Sequence, residues 1–326
     1  MATDTIGGFD ASTELGGIRL PNPVMTASGC AANGKELQRF FDVAQLGAFV
    51  TKTVMLEPRS GRGTPRMAET PSGMLNSIGL QGPGIRAFCE QDLTWLKARG
   101  ARVLVSIAGG TAGEFADVAA HLRASDAWDA VVGVEVNISC PNVANRGQVF
   151  ACDPTTSAKV MTLVREQLPR DTPIIAKLSP DVTDIVSIAA AVLGAGATGL
   201  TMINTLLGVV IDTDLLRPQL GGLTGGLSGP AVRAVAVRAV WQVRAAMLAG
   251  QIPTAPIIGV GGIATGRDAL ELVAAGASAV QVGTVTFHDP SAPLRVRDEL
   301  TALVRAKGFS QFTDVIGIAH ERIARP

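Results

Sequence analysis

The segment Val-Glu-Val-Asn-Ile-Ser-Cys-Pro-Asn over 134–142 begins as a β-strand of alternating apolar residues and ends in polar and reactive groups. Asn137 sets an amide donor and acceptor at the strand's end. Three residues on, Cys140 offers a thiol able to act as a base, and Pro141 stops the backbone from extending the ladder. A thiol on a loop beside an amide suits proton abstraction. The alternative is a cysteine buried as a small hydrophobe, because thiol reactivity depends on surroundings that a sequence does not display.

Two lysines also finish apolar runs: Lys52 in Phe-Val-Thr-Lys-Thr and Lys177 in Ile-Ile-Ala-Lys-Leu-Ser-Pro. An unpaired buried ammonium is costly, so each needs a counter-charge. A carboxylate on a neighbouring strand would serve, but few strand ends carry one, which favours an anionic ligand. Glycines cluster near the C-terminus in Gly259-Val-Gly-Gly262 and Gln281-Val-Gly-Thr284, with Gly225-Gly226 and Gly229 before them. Glycine lets backbone N–H groups approach an anion, and a following helix N-terminus adds a favourable dipole; tight turns need glycine too. Asn76, Asn137 and Asn204 add three amides, which can pair with the carbonyls and N–H groups of a small polar ring or serve as turns and caps.

These groups need a scaffold that gathers them. β-Branched runs at 22–28, 48–52, 103–107, 132–138, 174–178, 199–203, 257–260 and 279–283 alternate with amphipathic stretches, the pattern of repeated βα units. Helices are expected at 35–44, 86–99, 113–124, 156–168, 183–195, 230–249, 267–275 and 292–307. Eight units in one chain of 326 residues predict a single-domain (β/α)8 TIM barrel over 1–326, with 12–20 as an N-terminal hairpin and long loops over the barrel mouth. An open doubly wound sheet would want a glycine-rich turn after its first strand, and Ser28-Gly29-Cys30-Ala31-Ala32-Asn33-Gly34 fits that poorly. In a barrel, the polar groups Ser28, Lys52, Ser106, Asn137, Lys177 and Asn204 all fall at the C-terminal face, where barrels do chemistry.

The chain is 47% hydrophobic and 17% charged with zero formal net charge, which suits a large soluble domain and gives no reason to expect nucleic acid or an anionic membrane as partner. No apolar run has the length of a membrane span, and the N-terminus lacks signal-peptide regions, so a cytoplasmic location is expected. Cys30, Cys89, Cys140 and Cys152 show no cluster spacing, and His121, His288 and His320 no metal-ligand pattern; the histidines read as surface or packing residues.

The motifs 65–81 (PRMAETPSGMLNSIGLQ), 137–143 (NISCPNV), 177–185 (KLSPDVTDI), 201–206 (TMINTL) and 224–230 (TGGLSGP) together resemble the catalytic subunit of class 1B dihydroorotate dehydrogenases, over about Leu20 to Asp289. That resemblance implies one FMN per chain, with its phosphate at Gly229, Gly261, Gly262, Gly283 and Thr284 and its ring and ribityl chain along Ser28, Lys52, Thr53, Asn137, Lys177 and Ile203. It implies dihydroorotate held by Lys52, Asn76, Ser77, Ile78, Gly79, Leu80, Asn137, Asn204 and Thr205, with Cys140 as general base and 143–153 as a closing loop. Many relatives place asparagine where this chain has Ser106, so a flavin contact is carried to Ser106 only weakly. The resemblance also implies a homodimer, and a heterotetramer with an iron–sulfur flavoprotein subunit carrying FAD and a 2Fe–2S cluster that passes electrons to NAD. Serine-base, membrane-associated class 2 enzymes fit less well. The alternatives are a flavin oxidoreductase acting on another dihydropyrimidine or using fumarate, a non-redox phosphate-binding barrel, and a barrel that only binds.

Overall fold

In the computed structural model, residues 5–6, 8–139 and 153–321 are described. Eight parallel strands run in order round a barrel: β1 (Val24–Thr26), β2 (Phe49–Val50), β3 (Val103–Ile107), β4 (Val131–Asn137), β5 (Ile174–Leu178), β6 (Gly199–Met202), β7 (Ile257–Val260) and β8 (Ala279–Val282). Strand β8 pairs with β1, and a bridge from Met25 to Ala48 closes the ring between β1 and β2. This is the (β/α)8 architecture that the alternating units predict, with every expected strand present.

Side chains on each strand alternate between two cores. Outward residues such as Val103, Val105, Val134, Val136, Ile174 and Ala176 pack in the shell between sheet and helices. Inward residues Met25, Val50, Leu104, Ile175 and Ile258 form a separate interior cluster. The hairpin of Thr13–Leu15 and Ile18–Leu20 adds Leu15 and Leu20 to that cluster and so plugs the barrel's N-terminal end.

The outer layer comprises α1 (85–98, with a π-helical turn at Phe88–Leu93), α2 (Ala112–Arg123), α3 (Pro154–Gln167), α4 (Ile185–Gly194), α5 (Arg233–Leu248), α6 (Gly266–Ala275) and α7 (Ala292–Ala306). Asp153 caps α3 through the Thr156 amide with Pro154 at the first turn, and Asp184 caps α4 through Val186 and Ser187. No helix among the described residues is long and apolar enough to cross a membrane.

One expected helix is absent. Residues 35–44 form two short 3-10 turns, Leu37–Arg39 and Val43–Gln45, in place of a continuous helix. The side chains of Gln38 and Asp42 accept from the amides of Val43 and Ala44, which a continuous helix would direct to its own carbonyls.

The two long connections, after β2 and after β6, pair with each other. Met67–Thr70, Gly73–Asn76, Gly225–Ser228 and Leu206–Gly208 make a four-stranded antiparallel sheet beside the mouth. Ala68, Leu75 and Leu220 give it a small apolar core of its own. The sheet joins loops that lie about 150 residues apart in sequence, as the Asn76–Gly226 pair shows.

Candidate active site at the barrel mouth

A cavity of about 1040 Å³ opens where the barrel strands end and the four-stranded sheet covers them. Its size lies at the upper end of the range for ligand cavities, roughly 300–1,000 Å³. Ser28, Lys52, Thr53, Asn76, Ile78, Gly79, Leu80, Asn137, Lys177, Ile203, Asn204, Thr205, Gly229, Gly261, Gly262, Gly283 and Thr284 all line it. Ser77 does not: it is buried behind the wall, where its hydroxyl accepts from Arg62 Nη1 at 3.3 Å. Cys140 and residues 143–152 lie outside the described residues.

Alternation on β4 turns Glu135 and Asn137 to the same inward face. Lys177, opposite Asn137 on β5, donates to Ser28 Oγ at 3.1 Å and lies 3.7 Å from Glu135 Oε1. Glu135 is fully buried, and its Oε2 accepts from Thr201 Oγ1 at 3.0 Å and Gln281 Nε2 at 2.8 Å. The expectation that favoured an anionic ligand over a neighbouring strand's carboxylate, because few strand ends carry one, is corrected for Lys177: Glu135 on β4 is such a carboxylate. The acid sits one inward position deeper than the strand end, and its lone charge in Val-Val-Gly-Val-Glu-Val-Asn was the signal that could have found it.

Asn137 is locked from three sides. Its Nδ2 donates to Thr53 Oγ1 at 3.2 Å, and its Oδ1 accepts from Ser139 Oγ at 2.9 Å and Asn204 Nδ2 at 3.3 Å. Asn204 Nδ2 also reaches Ser139 Oγ at 2.6 Å, and Asn204 Oδ1 accepts from the Thr205 amide at 2.8 Å. Thr53 is held in turn by Ser106, whose hydroxyl lies 3.0 Å from Thr53 Oγ1. Ser106 is fully buried and stands behind Thr53, outside the cavity wall. Its role is to orient, through Thr53, the amide that faces the cavity. Ser139 has the same kind of role and was missed, since a serine beside a cysteine carries no distinctive pattern.

Cys30 also lines the cavity, beside Gly283. Burial pushes its thiol up to about 11, against the opposing pull of Lys177 and Lys52. His288 stands at the cavity edge, while His320 stacks on Trp241 with ring centroids 3.7 Å apart and His121 bonds the Asp117 carbonyl.

At the other end of the cavity the wall is glycine. Gly229 has φ +94°, and a Cβ there would stand 2.8 Å from Gly73 Cα; Gly262 has φ +74° and would meet Arg233 Cβ at 2.5 Å. A side chain at either position requires both a strained backbone and displacement of its neighbour. The dipole expected from the helix after β7 is already satisfied by protein. Asp268 Oδ2 accepts from the amides of Ala264 and Thr265, and Glu299 Oε2 from that of Gly266, at the start of α6. An anion here would meet loop backbone at 229, 261–262 and 283–284.

The architecture and site together define a (β/α)8 barrel with a mouth cavity that is cationic and amide-lined at one end and glycine-walled at the other. Comparison with known proteins gives the family: the model described as dihydroorotate dehydrogenase matches residues 10–304, and the chain belongs to that family. It is 47% identical over 308 residues to a protein of Geobacter sp. (strain M21) named dihydroorotate dehydrogenase B (NAD(+)), catalytic subunit, covering 94% of this chain and 97% of that one. Proteins of the same name from Geotalea uraniireducens (strain Rf4) and Geobacter sulfurreducens are each 46% identical, over 96% and 94% of this chain and 99% and 97% of theirs.

Proposed function

We propose that this chain oxidises dihydroorotate to orotate in pyrimidine biosynthesis, as the FMN-bearing catalytic subunit of an NAD-linked dihydroorotate dehydrogenase. The observation that carries the reading is the convergence of Lys52, Lys177, Asn137 and Asn204 on one cavity with a glycine wall, in a chain of this family.

The residues fit FMN. Gly229 and Gly262 line the cavity with positive φ and no space for a Cβ against Gly73 and Arg233, so the loop backbone itself forms this wall, which suits a phosphate held by backbone N–H groups. Lys52, Lys177, Ser28, Thr53, Asn137 and Ile203 would hold the ring and ribityl chain at the cationic end. FMN, when bound, supplies the hydride acceptor for carbon-6 of the substrate. Asn76, Asn137, Asn204 and Thr205 orient the pyrimidine ring, with the two central amides fixed by Thr53 and Ser139. Lys52 meets the substrate carboxylate. Cys140 takes the proton from carbon-5. Negative charge developing in the transition state is stabilised by ammonium groups already in position.

The relatives are named catalytic subunits, which supports a second, electron-transferring subunit for this chain. We assign FAD and a 2Fe–2S cluster to that partner, in a heterotetramer built on a homodimer of this chain located in the cytoplasm. Leu207, Val209, Ile211, Leu215, Leu216 and Leu223 crowd one exposed loop, an apolar surface suited to burial against another chain.

Anaerobic addition of dihydroorotate to the FMN-loaded protein tests the reading: the flavin's visible absorption is expected to bleach, and a preparation that takes up no FMN or does not bleach would overturn it. Cys140→Ser is expected to slow that bleaching by about 10²–10⁴ while leaving orotate binding nearly intact, because the hydroxyl is a far weaker base. Wild-type rates in the serine variant would remove Cys140 from the mechanism. The isolated chain is expected to reduce NAD poorly until the partner is added, and rapid NADH formation without it would contradict the division between subunits.

A further inference from the structure

Among the described residues, the pair Glu135–Lys177 is unlike the other ion pairs. Lys35 and Asp92 meet at 2.7 Å and Arg295 and Asp289 at 2.9 Å, distances of charge-assisted hydrogen bonds. Lys177 Nζ stays 3.7 Å from Glu135 Oε1, and that oxygen has no hydrogen-bond partner among the described residues. The carboxylate is instead pinned through its other oxygen, by Thr201 from β6 and Gln281 from β8. It balances the ammonium's charge without consuming one of its N–H groups. Of the three donors on an ammonium, Ser28 takes one. The remaining two are available to the cavity that Lys177 lines.

Both groups lie almost wholly out of solvent, with side-chain exposures of 5% for Lys177 and 0% for Glu135. Such burial disfavours an uncompensated ammonium, so the carboxylate is what keeps a charged lysine beneath a ligand. Among the described residues, Cys30 feels both Lys177 and Lys52; the thiol is uncharged at neutral pH, and Lys52 carries the same sign as Lys177. Among the described residues Glu135 is thus the anion that faces it.

We propose that Glu135 is the positioning residue for Lys177, holding its ammonium charged and with donors free towards the cavity, so that the pair sets how strongly bound FMN favours its reduced form. This rests on the FMN reading above.

The test is the reduction potential of bound FMN across pH in wild type, Glu135→Gln, Lys177→Met and the double variant. In Glu135→Gln the ratio of affinities for reduced and oxidised FMN is expected to gain a pH-dependent step that wild type lacks. At the acid end the lone ammonium favours reduced FMN beyond wild type; at the alkaline end the variant approaches Lys177→Met. The step is expected to reach at least about tenfold, or about 30 mV for a two-electron couple. In the Lys177→Met background, Glu135→Gln is expected to change the ratio less than about twofold, because the ammonium through which Glu135 acts is gone. Thr201→Val, which removes one bond holding the carboxylate and no charge, is expected to shift the ratio in the same sense by less, and carries the test where Glu135→Gln does not fold. Glu135→Gln and Thr201→Val proteins that track wild type at every pH would overturn the inference, as would a Glu135→Gln effect that persists without Lys177. Wild-type protein that takes up no FMN would overturn the cofactor reading and this inference with it, whereas FMN uptake with an unresponsive ratio overturns the inference alone.

Discussion

The two halves of the barrel interior are made by the same strands from opposite chemistry. Towards the N-terminal end, Met25, Leu104, Ile175 and Ala279 pack with Leu15 and Leu20 into an apolar plug. Two residues further along three of those strands, on the same inward face, stand Ser106, Lys177 and Gln281, all buried and polar. The lower half stabilises by burying apolar side chains. The upper half withdraws an ammonium and a carboxylate from water, a step whose cost their mutual attraction and surrounding hydrogen bonds only offset. Nothing in barrel geometry demands that change of chemistry, since Ile258 and Val260 remain apolar at successive inward positions of β7. Lys177 and Gln281 of the polar layer line the floor of the cavity.

The comparison can be broken by unpairing the upper half. Lys177→Met leaves Glu135 buried without its counter-charge, so the protein is expected to lose about 3–5 kcal/mol of stability, read from denaturant unfolding without FMN. The FMN that still binds is expected to have a lower reduction potential than in wild type. A neutral effect on both would make the pair a passenger.

A conservative change below should touch stability alone. Ile175→Val, in the strand that carries Lys177, is expected to cost about 0.5–1.5 kcal/mol and leave FMN affinity and potential as in wild type. A shift in potential from that variant would mean that the two halves are mechanically coupled and that the division is too sharp.

The smallest effect concerns Cys30. Its thiol, ordinarily near 9, titrates at about 11 in the folded chain because burial disfavours the thiolate. Between those two values the unfolded chain releases this proton and the folded chain keeps it, so Cys30 makes stability fall as pH rises through that window. Cys30→Ala is expected to flatten that part of the stability–pH profile. Lys177→Met is expected to push the thiol higher still, since Lys177 now pulls it down. An unchanged alkaline slope in Cys30→Ala would place the thiol in contact with water.

Most of the barrel was legible in sequence because its signal is local and repeated. Runs such as 103–107 and 174–178 coincide with β3 and β5 residue for residue. Asn137, Lys177 and the glycine turns were legible because each interrupts an apolar run at a strand end. What stayed hidden depends on partners distant in sequence. The covering sheet forms only when 73–76 meets 225–228, and neither stretch alternates enough to announce a strand. The helix expected at 35–44 failed because two side chains, Gln38 and Asp42, outbid its backbone for the same amides. Glu135 gives no strand-end signal because its charge falls two residues before the end of β4, although the alternation that places Asn137 inward places Glu135 inward too.

The central claim is that the charged layer serves the ligand and not the fold. Thermal melting of the Glu135→Gln/Lys177→Met double variant, with and without saturating FMN, tests it most directly. Replacing a buried ion pair by neutral groups of similar size is often neutral or stabilising, by up to about 4 kcal/mol. The FMN-free double variant is therefore expected to melt at or above the wild-type temperature, with a smaller upward shift on adding FMN than wild type shows. A double variant that melts well below wild type without FMN, yet gains the full wild-type shift with it, would contradict the account.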